Sequence, residues 1–97
     1  MLKCGDITLN PGTHVVRVED ETISLPPKQY ELLKYLLEKK EQPVERDTLL
    51  SRVCGSSFYG NDRVVDNHIK KLRKALGCSG RLIKTEISKG YKITEEL

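Results

Sequence analysis

From Arg63 to Leu76 the chain runs fourteen residues without a Gly or Pro, set between Asp62 and Gly77. Either Asn61 or Asp62 can cap the start of a helix there, and Gly77 suits the left-handed position just past its end. At about 100° per residue, Ile69, Leu72 and Leu76 fall within about 40° of Val65, which makes one apolar stripe. Arg63, Asn67, Lys70, Lys71 and Lys74 gather within about 60° of the opposite pole. Asp66 and Arg73 lie on one flank, and Val64, His68 and Ala75 on the other. A helix with so sharp a division must lay its oily side on a core and leave its cationic side open.

The charge of the chain is concentrated in this stretch. Arg63, Lys70, Lys71, Arg73 and Lys74 against Asp66 bring it to +4, while the whole chain carries +3, so the remainder stands at −1. Two readings of the cationic face remain open on this geometry. One is a solvated face, which is what most charge clusters are. The other is a surface for the major groove of duplex DNA, which admits a helix and offers phosphates and base edges to Lys, Arg and Asn. A merely solvated helix more often interleaves Glu with Lys at i, i+4, and here acids are nearly absent from the face.

The rest of the chain supplies what such a helix would pack against. Ile7 and Leu9 alternate with polar neighbours, Asn10-Pro11-Gly12 turns the chain, and Val15, Val16 and Val18 form a β-branched run. Glu19-Asp20-Glu21 turns again into Thr22–Leu25. Three or four short strands of this kind predict a small antiparallel sheet that needs a helical cover. Pro26-Pro27 can open a first helix, whose stripe is Leu32, Leu33, Leu36 and Leu37 and which Pro43 ends. Leu49, Leu50 and Val53 predict a second helix from Arg46 to about Cys54, stopped by Gly55. Residues 56–62 read as a loop carrying Phe58 and Tyr59. Leu82–Ile87 alternates like a strand, Ser88-Lys89-Gly90 turns it, and Tyr91–Thr94 returns, giving a closing β-hairpin. The fold class expected is α+β, one domain over residues 1–97.

Several function classes find no support. No apolar stretch approaches the ~20 residues of a membrane span, so a soluble chain is expected, and cysteines read as free thiols fit a cytoplasmic location. The three cysteines, Cys4, Cys54 and Cys78, cannot all pair internally and read as free thiols. Only His14 and His68, from distant segments, could join them around a metal, so no metal site is expected. No phosphate-binding loop, nucleophile triad or working carboxylate pair is present, so neither an enzyme nor a cofactor is expected.

The segment Arg63-Val64-Val65-Asp66-Asn67-His68-Ile69-Lys70-Lys71-Leu72-Arg73-Lys74-Ala75-Leu76 closely resembles the R-x-V-D-x-H-I-x-x-L-R-K-x-L signature of the OmpR/PhoB family, bacterial response-regulator effector domains. Residues 25–33 resemble that family's first helix opening, 44–50 its second helix, and 83–85 with Gly90-Tyr91 its wing strands. The resemblance covers about residues 6–94. It implies a winged helix-turn-helix with a four-stranded N-terminal sheet, three helices and a C-terminal β-hairpin wing. It also implies sequence-specific binding of double-stranded DNA, with the 62–76 helix in the major groove and the 82–94 wing flanking it. Transcriptional regulation in a two-component system follows, with direct-repeat sites bound as a tandem homodimer.

By position, the resemblance places Arg63, Asn67 and Lys71 at bases and His68, Lys70, Arg73 and Tyr91 at phosphate, with Thr85 at the wing base. Lys74 shares the cationic face. The loop 55–62, with Phe58 and Tyr59, matches the segment that activators of the family present to RNA polymerase. The wing departs from the family pattern I-x-T-V-R-G-x-G-Y: Ile87 stands at the Arg and Ser88 at the first Gly, leaving Lys89 as the wing-tip cation. Two helix lysines stand where arginine is common, and lysine lacks the bidentate fork to guanine. Cys54 replaces a large aromatic and Pro26 a Thr cap. The phosphate-accepting receiver domain that normally precedes this module is not in the chain.

Alternatives stand beside several of these roles. Asp66 would repel phosphate, so an internal pair with Arg46 or Lys70 is expected. His68 is either a structural histidine or a phosphate donor, and Tyr91 can pack the hairpin while its hydroxyl reaches phosphate. Phe58 and Tyr59 either plug the core or bind a partner. The competing function for the whole domain is a winged helix that binds protein instead of DNA.

Overall fold

The computed structural model describes residues 1–53, 63–86 and 89–95. Four short strands open the chain: β1 (Leu2–Cys4), β2 (Ile7–Asn10), β3 (Val15–Val18) and β4 (Glu21–Ile23). They form an antiparallel meander in sequence order. Its register sets Cys4 opposite Ile7, Leu9 opposite Val16 and Val16 opposite Ile23. Because side chains alternate across a strand, Cys4, Ile7, Leu9 and Val16 share the covered face while Lys3, Arg17 and Thr22 face out. The β2–β3 turn is held by Asn10, whose Oδ1 accepts from the Gly12 amide at 2.9 Å.

Helix α1 (Pro27–Glu38) covers that face. Pro26 takes an extended conformation and Pro27 fills the first turn, where a missing N–H costs nothing. Leu32, Leu33, Leu36 and Leu37 are buried as the stripe requires, and Gln29 and Tyr30 are buried with them. Helix α2 (Arg46–Val53) contributes Leu49 and Leu50. Helix α3 (Arg63–Leu76) buries Val65, Ile69, Leu72 and Leu76, all four at 2% exposure or less. Each such side chain is worth about 1.5–3 kcal/mol relative to exposure, so this stripe is what fixes the helix on the core.

Gly77, at φ 62°, ends α3 in the left-handed conformation expected of it. A six-residue 3-10 turn (Gly77–Leu82) then leads into β5 (Ile83–Glu86), which pairs antiparallel with β6 (Gly90–Ile93). The hairpin does not stand alone. Val44, just before α2, exchanges both main-chain hydrogen bonds with Tyr91, at 2.7 and 2.9 Å. Gly90 makes this approach possible: its φ is 110°, and a Cβ there would sit 2.0 Å from the Val44 carbonyl oxygen. Beyond β6, Thr94 donates to Leu82 O and Glu41 donates to Ile93 O. Glu95 accepts from the Gly5 amide at 2.8 Å and pairs with Lys40 at 2.9 Å, so the last described residues are stitched to the first strands.

The α+β architecture expected from the sequence is the one observed, with boundary differences that have physical reasons. The strand at Leu2–Cys4 was not anticipated from its residues, because an edge strand of three residues has too little pattern to read. The last strand of the sheet stops at Ile23, short of the expected Leu25, ahead of the two prolines. Leu82 closes the 3-10 turn and does not start β5. The expected caps Asn61 and Asp62, the end of the second helix at Cys54, the 55–62 loop with Phe58 and Tyr59, and Ile87 and Ser88 lie outside the described residues.

Candidate nucleic-acid interface

Packing of the α3 stripe decides what the opposite side presents. With Val65, Ile69, Leu72 and Leu76 inward, Asn67, Lys70, Lys71 and Lys74 are all exposed. These four line a single surface depression. Arg63 begins the helix. No carboxylate side chain stands among the four, so their charges add in one field that attracts anions.

Asp66, on the flank, is taken up inside the fold. Its Oδ1 accepts from Arg46 Nε at 3.1 Å and from the Tyr91 hydroxyl at 2.5 Å. The internal pair with Arg46 is therefore one of the two partners the sequence offered. Both charged groups are partly exposed, so the ion pair itself contributes modestly. The Tyr91 hydroxyl has the larger stake, because Tyr91 is only 4% exposed and its donor would otherwise be buried without a partner. Burial pushes the Tyr91 phenol above its ordinary range, and donation to Asp66 adds to that shift.

Arg73 occupies the same flank about two turns further on. Its Nε and Nη2 donate to the Ile83 carbonyl at 3.2 and 2.7 Å, and Nη2 donates to Thr85 Oγ1 at 3.1 Å. The guanidinium groups of Arg46 and Arg73 stand 5.6 and 5.8 Å from the centroid of the Tyr91 ring, a cation–π arrangement at each. Thus Arg73, Thr85 and Tyr91 come together as the joint between α3 and the hairpin. The hydroxyl of Tyr91 and much of the Arg73 fork are engaged there. Thr85 remains exposed, as does Lys89 at the turn between β5 and β6.

His68, on the other flank, is half-buried, and its Nδ1 lies 2.8 Å from Gln29 Nε2 of α1. Burial lowers its pKa below the ordinary histidine value, and the nearby Lys28 and Lys71 charges lower it further. Both effects favour the uncharged ring. Gln29 was missed in the sequence, although a signal was present. Position 29 continues the Leu32, Leu33, Leu36, Leu37 stripe backwards by three and four residues, and a polar residue on an inward position asks for a partner.

The described residues contain no group of His, Cys, Asp or Glu that could hold a metal. Cys4 is buried in the core, which pushes its thiol up to about 11, while Cys78 is exposed. No helix among the described residues is long and apolar enough to cross a membrane.

Comparison with known proteins places this geometry in company. The family described as "Transcriptional regulatory protein, C terminal" matches residues 20–93. The phosphate regulon transcriptional regulatory protein PhoB of Shigella flexneri is 34% identical over 96 residues, which is 97% of this chain and 42% of that protein. The transcriptional regulatory protein YclJ of Bacillus subtilis is 38% identical over 98 residues, 99% of this chain and 43% of its own length. The chain therefore spans less than half the length of the curated relatives it matches. Among solved structures, the Klebsiella pneumoniae RstA DNA-binding domain in complex with RstA box superposes with a TM-score of 0.86 at 31% identity, covering 98% of this chain and 97% of that one.

Proposed function

The chain belongs to the family of C-terminal domains of transcriptional regulatory proteins, and on that premise we propose that it is the sequence-specific, double-stranded-DNA-binding domain of a bacterial response regulator. One observation carries the reading. Asn67, Lys70, Lys71 and Lys74 are exposed together on the side of α3 opposite a fully buried stripe. A helix held from behind in this way can enter the major groove without losing its packing.

In this reading Arg63, Asn67 and Lys71 face base edges, and Lys70 and Lys74 grip the backbone. The β5–β6 hairpin flanks the groove with Lys89 at its tip and Thr85 at its base. Arg73 and Tyr91 act first as the joint that holds the hairpin to α3. A guanidinium has five N–H groups, so Arg73 can serve that joint and still offer a donor to phosphate. Binding as a tandem homodimer on direct repeats, contact of the Phe58–Tyr59 loop with RNA polymerase, and a cytoplasmic location in a two-component system rest on the family resemblance. The reading assigns no catalysis and requires no cofactor.

The test is selection of bound duplexes from a random pool at two salt concentrations. One enriched motif should emerge, with affinity falling as salt rises by a slope of about −0.9 per phosphate neutralised. Equal affinity for every duplex, or no response to salt, would instead favour a winged helix that binds protein.

A further inference from the structure

The contact between Gln29 and His68 does more than fill a gap between α1 and α3. Gln29 is 4% exposed and sits in the first turn of α1, directly behind a ring that flanks the cationic face. Its Nε2 is a pure donor, so the atom it meets, His68 Nδ1 at 2.8 Å, must carry a lone pair. A neutral imidazole has one N–H, and with Nδ1 accepting, that hydrogen resides on Nε2. We infer that Gln29 is a positioning residue for the nucleic-acid face: it locks His68 in the Nε2–H tautomer and aims that N–H as an uncharged donor for a backbone phosphate. The inference rests on the DNA-binding reading for its second half alone, because the tautomer is a property of the free chain.

The electrostatic surroundings suit an uncharged donor. Among the described residues, Lys28 of α1 and Lys71 of α3 are the charged groups acting on the ring, and both oppose a second proton. A carboxylate at position 29 would accept from Nδ1–H, hold the imidazolium and make binding depend on pH. The amide does the opposite, keeping the donor in place without a titration across the neutral range. His68 then adds direction at the flank while Lys70 and Lys71 supply the charge.

Two measurements test this. Nitrogen-15 NMR of the imidazoles in the free chain at about pH 7.5, above histidine's ordinary titration range, should show His68 protonated at Nε2 and bare at Nδ1. A ring protonated at Nδ1 overturns the proposal whatever the DNA result. Gln29→Leu should then weaken all duplexes alike, by about three- to tenfold, the loss expected of one phosphate hydrogen bond. Gln29→Glu should raise the His68 pKa and introduce a pH dependence of binding between about pH 6 and 8. In a His68→Ala background neither change should have any further effect on affinity. If Leu at position 29 unfolds the chain, the Gln29→Glu pH profile carries the test, and a flat profile rejects the inference. A wild-type chain that binds no duplex while showing the Nε2–H form would sink the DNA reading and leave the tautomer assignment standing.

Discussion

The Tyr91 hydroxyl donates to Asp66 across twenty-five residues of sequence, and through that bond the closing hairpin is tied to the helix proposed to meet DNA. Removing the acceptor leaves a phenol buried and unsatisfied and releases Arg46. Asp66→Ala should cost about 1–3 kcal/mol in urea unfolding, most of it for the stranded hydroxyl. Tyr91→Phe should cost less, and the double variant less than the sum of the two, since both remove the same bond. Strict additivity would mean the bond contributes nothing.

On the exposed side of α3, substitutions should separate two kinds of contact. Asn67→Ala and Lys71→Ala are expected to weaken the selected duplex by about 1–3 kcal/mol and to relax preference at particular base pairs. Lys70→Ala should weaken selected and unselected duplexes equally and reduce the salt slope by about one. None of the three should lower the melting temperature appreciably, because these side chains are exposed. Wild-type binding in both classes would remove the helix from the interface.

Gly90→Ala forces a Cβ against the Val44 carbonyl at a φ of 110°. The Val44–Tyr91 bridge should open, at a cost above about 2 kcal/mol. Hydrogen exchange at the Val44 and Tyr91 amides, which donate across that bridge, reads this directly. Unchanged protection would show that the hairpin docks by other means.

The pH response follows from His68. Its folded pKa is depressed by burial and by Lys28 and Lys71, so the unfolded chain takes up a proton first as pH falls. The contribution to stability is complete above the ordinary value of about 6.5 and is lost below it. The melting temperature should therefore decline between about pH 7 and 5, and His68→Gln should flatten that limb. Glu41 and Glu95 have depressed pKa values from their bonds to Thr94 and to the Gly5 amide. They add a separate loss as pH falls below the carboxylate range. A His68→Gln curve parallel to wild type would refute the assignment of the first limb.

Thiol labelling of the native chain should modify Cys78 and spare Cys4. The first is exposed, and the second is enclosed in the core with its thiol raised to about 11. Peptide mapping after a short exposure distinguishes them, and rapid labelling of Cys4 would contradict its burial.

How much of this was legible in the chain depends on the range of each interaction. The two faces of α3 could be read because burial there has a helical period, which Val65, Ile69, Leu72 and Leu76 repeat without interruption. The stripe of α1 and the left-handed Gly77 were legible for the same local reasons. The Leu2–Cys4 strand was not, since its identity comes from pairing with Ile7–Leu9 and not from its own three residues. The partners of Arg73, His68 and Tyr91 were also hidden. Each lies ten or more residues away on another element, and no periodicity encodes which donor meets which acceptor. Residue types and spacing thus marked the side chains of the candidate interface, while the bonds orienting its flanks emerged only with the fold.

The bridge between Val44 and Tyr91, with the Arg73 fork on the Ile83 carbonyl, means that hairpin and helix are joined by short bonds before any duplex arrives. The loss of freedom needed to set two probes at a fixed separation is met during folding and is not charged to complex formation. Substitutions that slacken this hinge at Val44 or Gly90, to which the proposed interface assigns no nucleotide contact, would then weaken DNA binding from behind, mainly through faster dissociation.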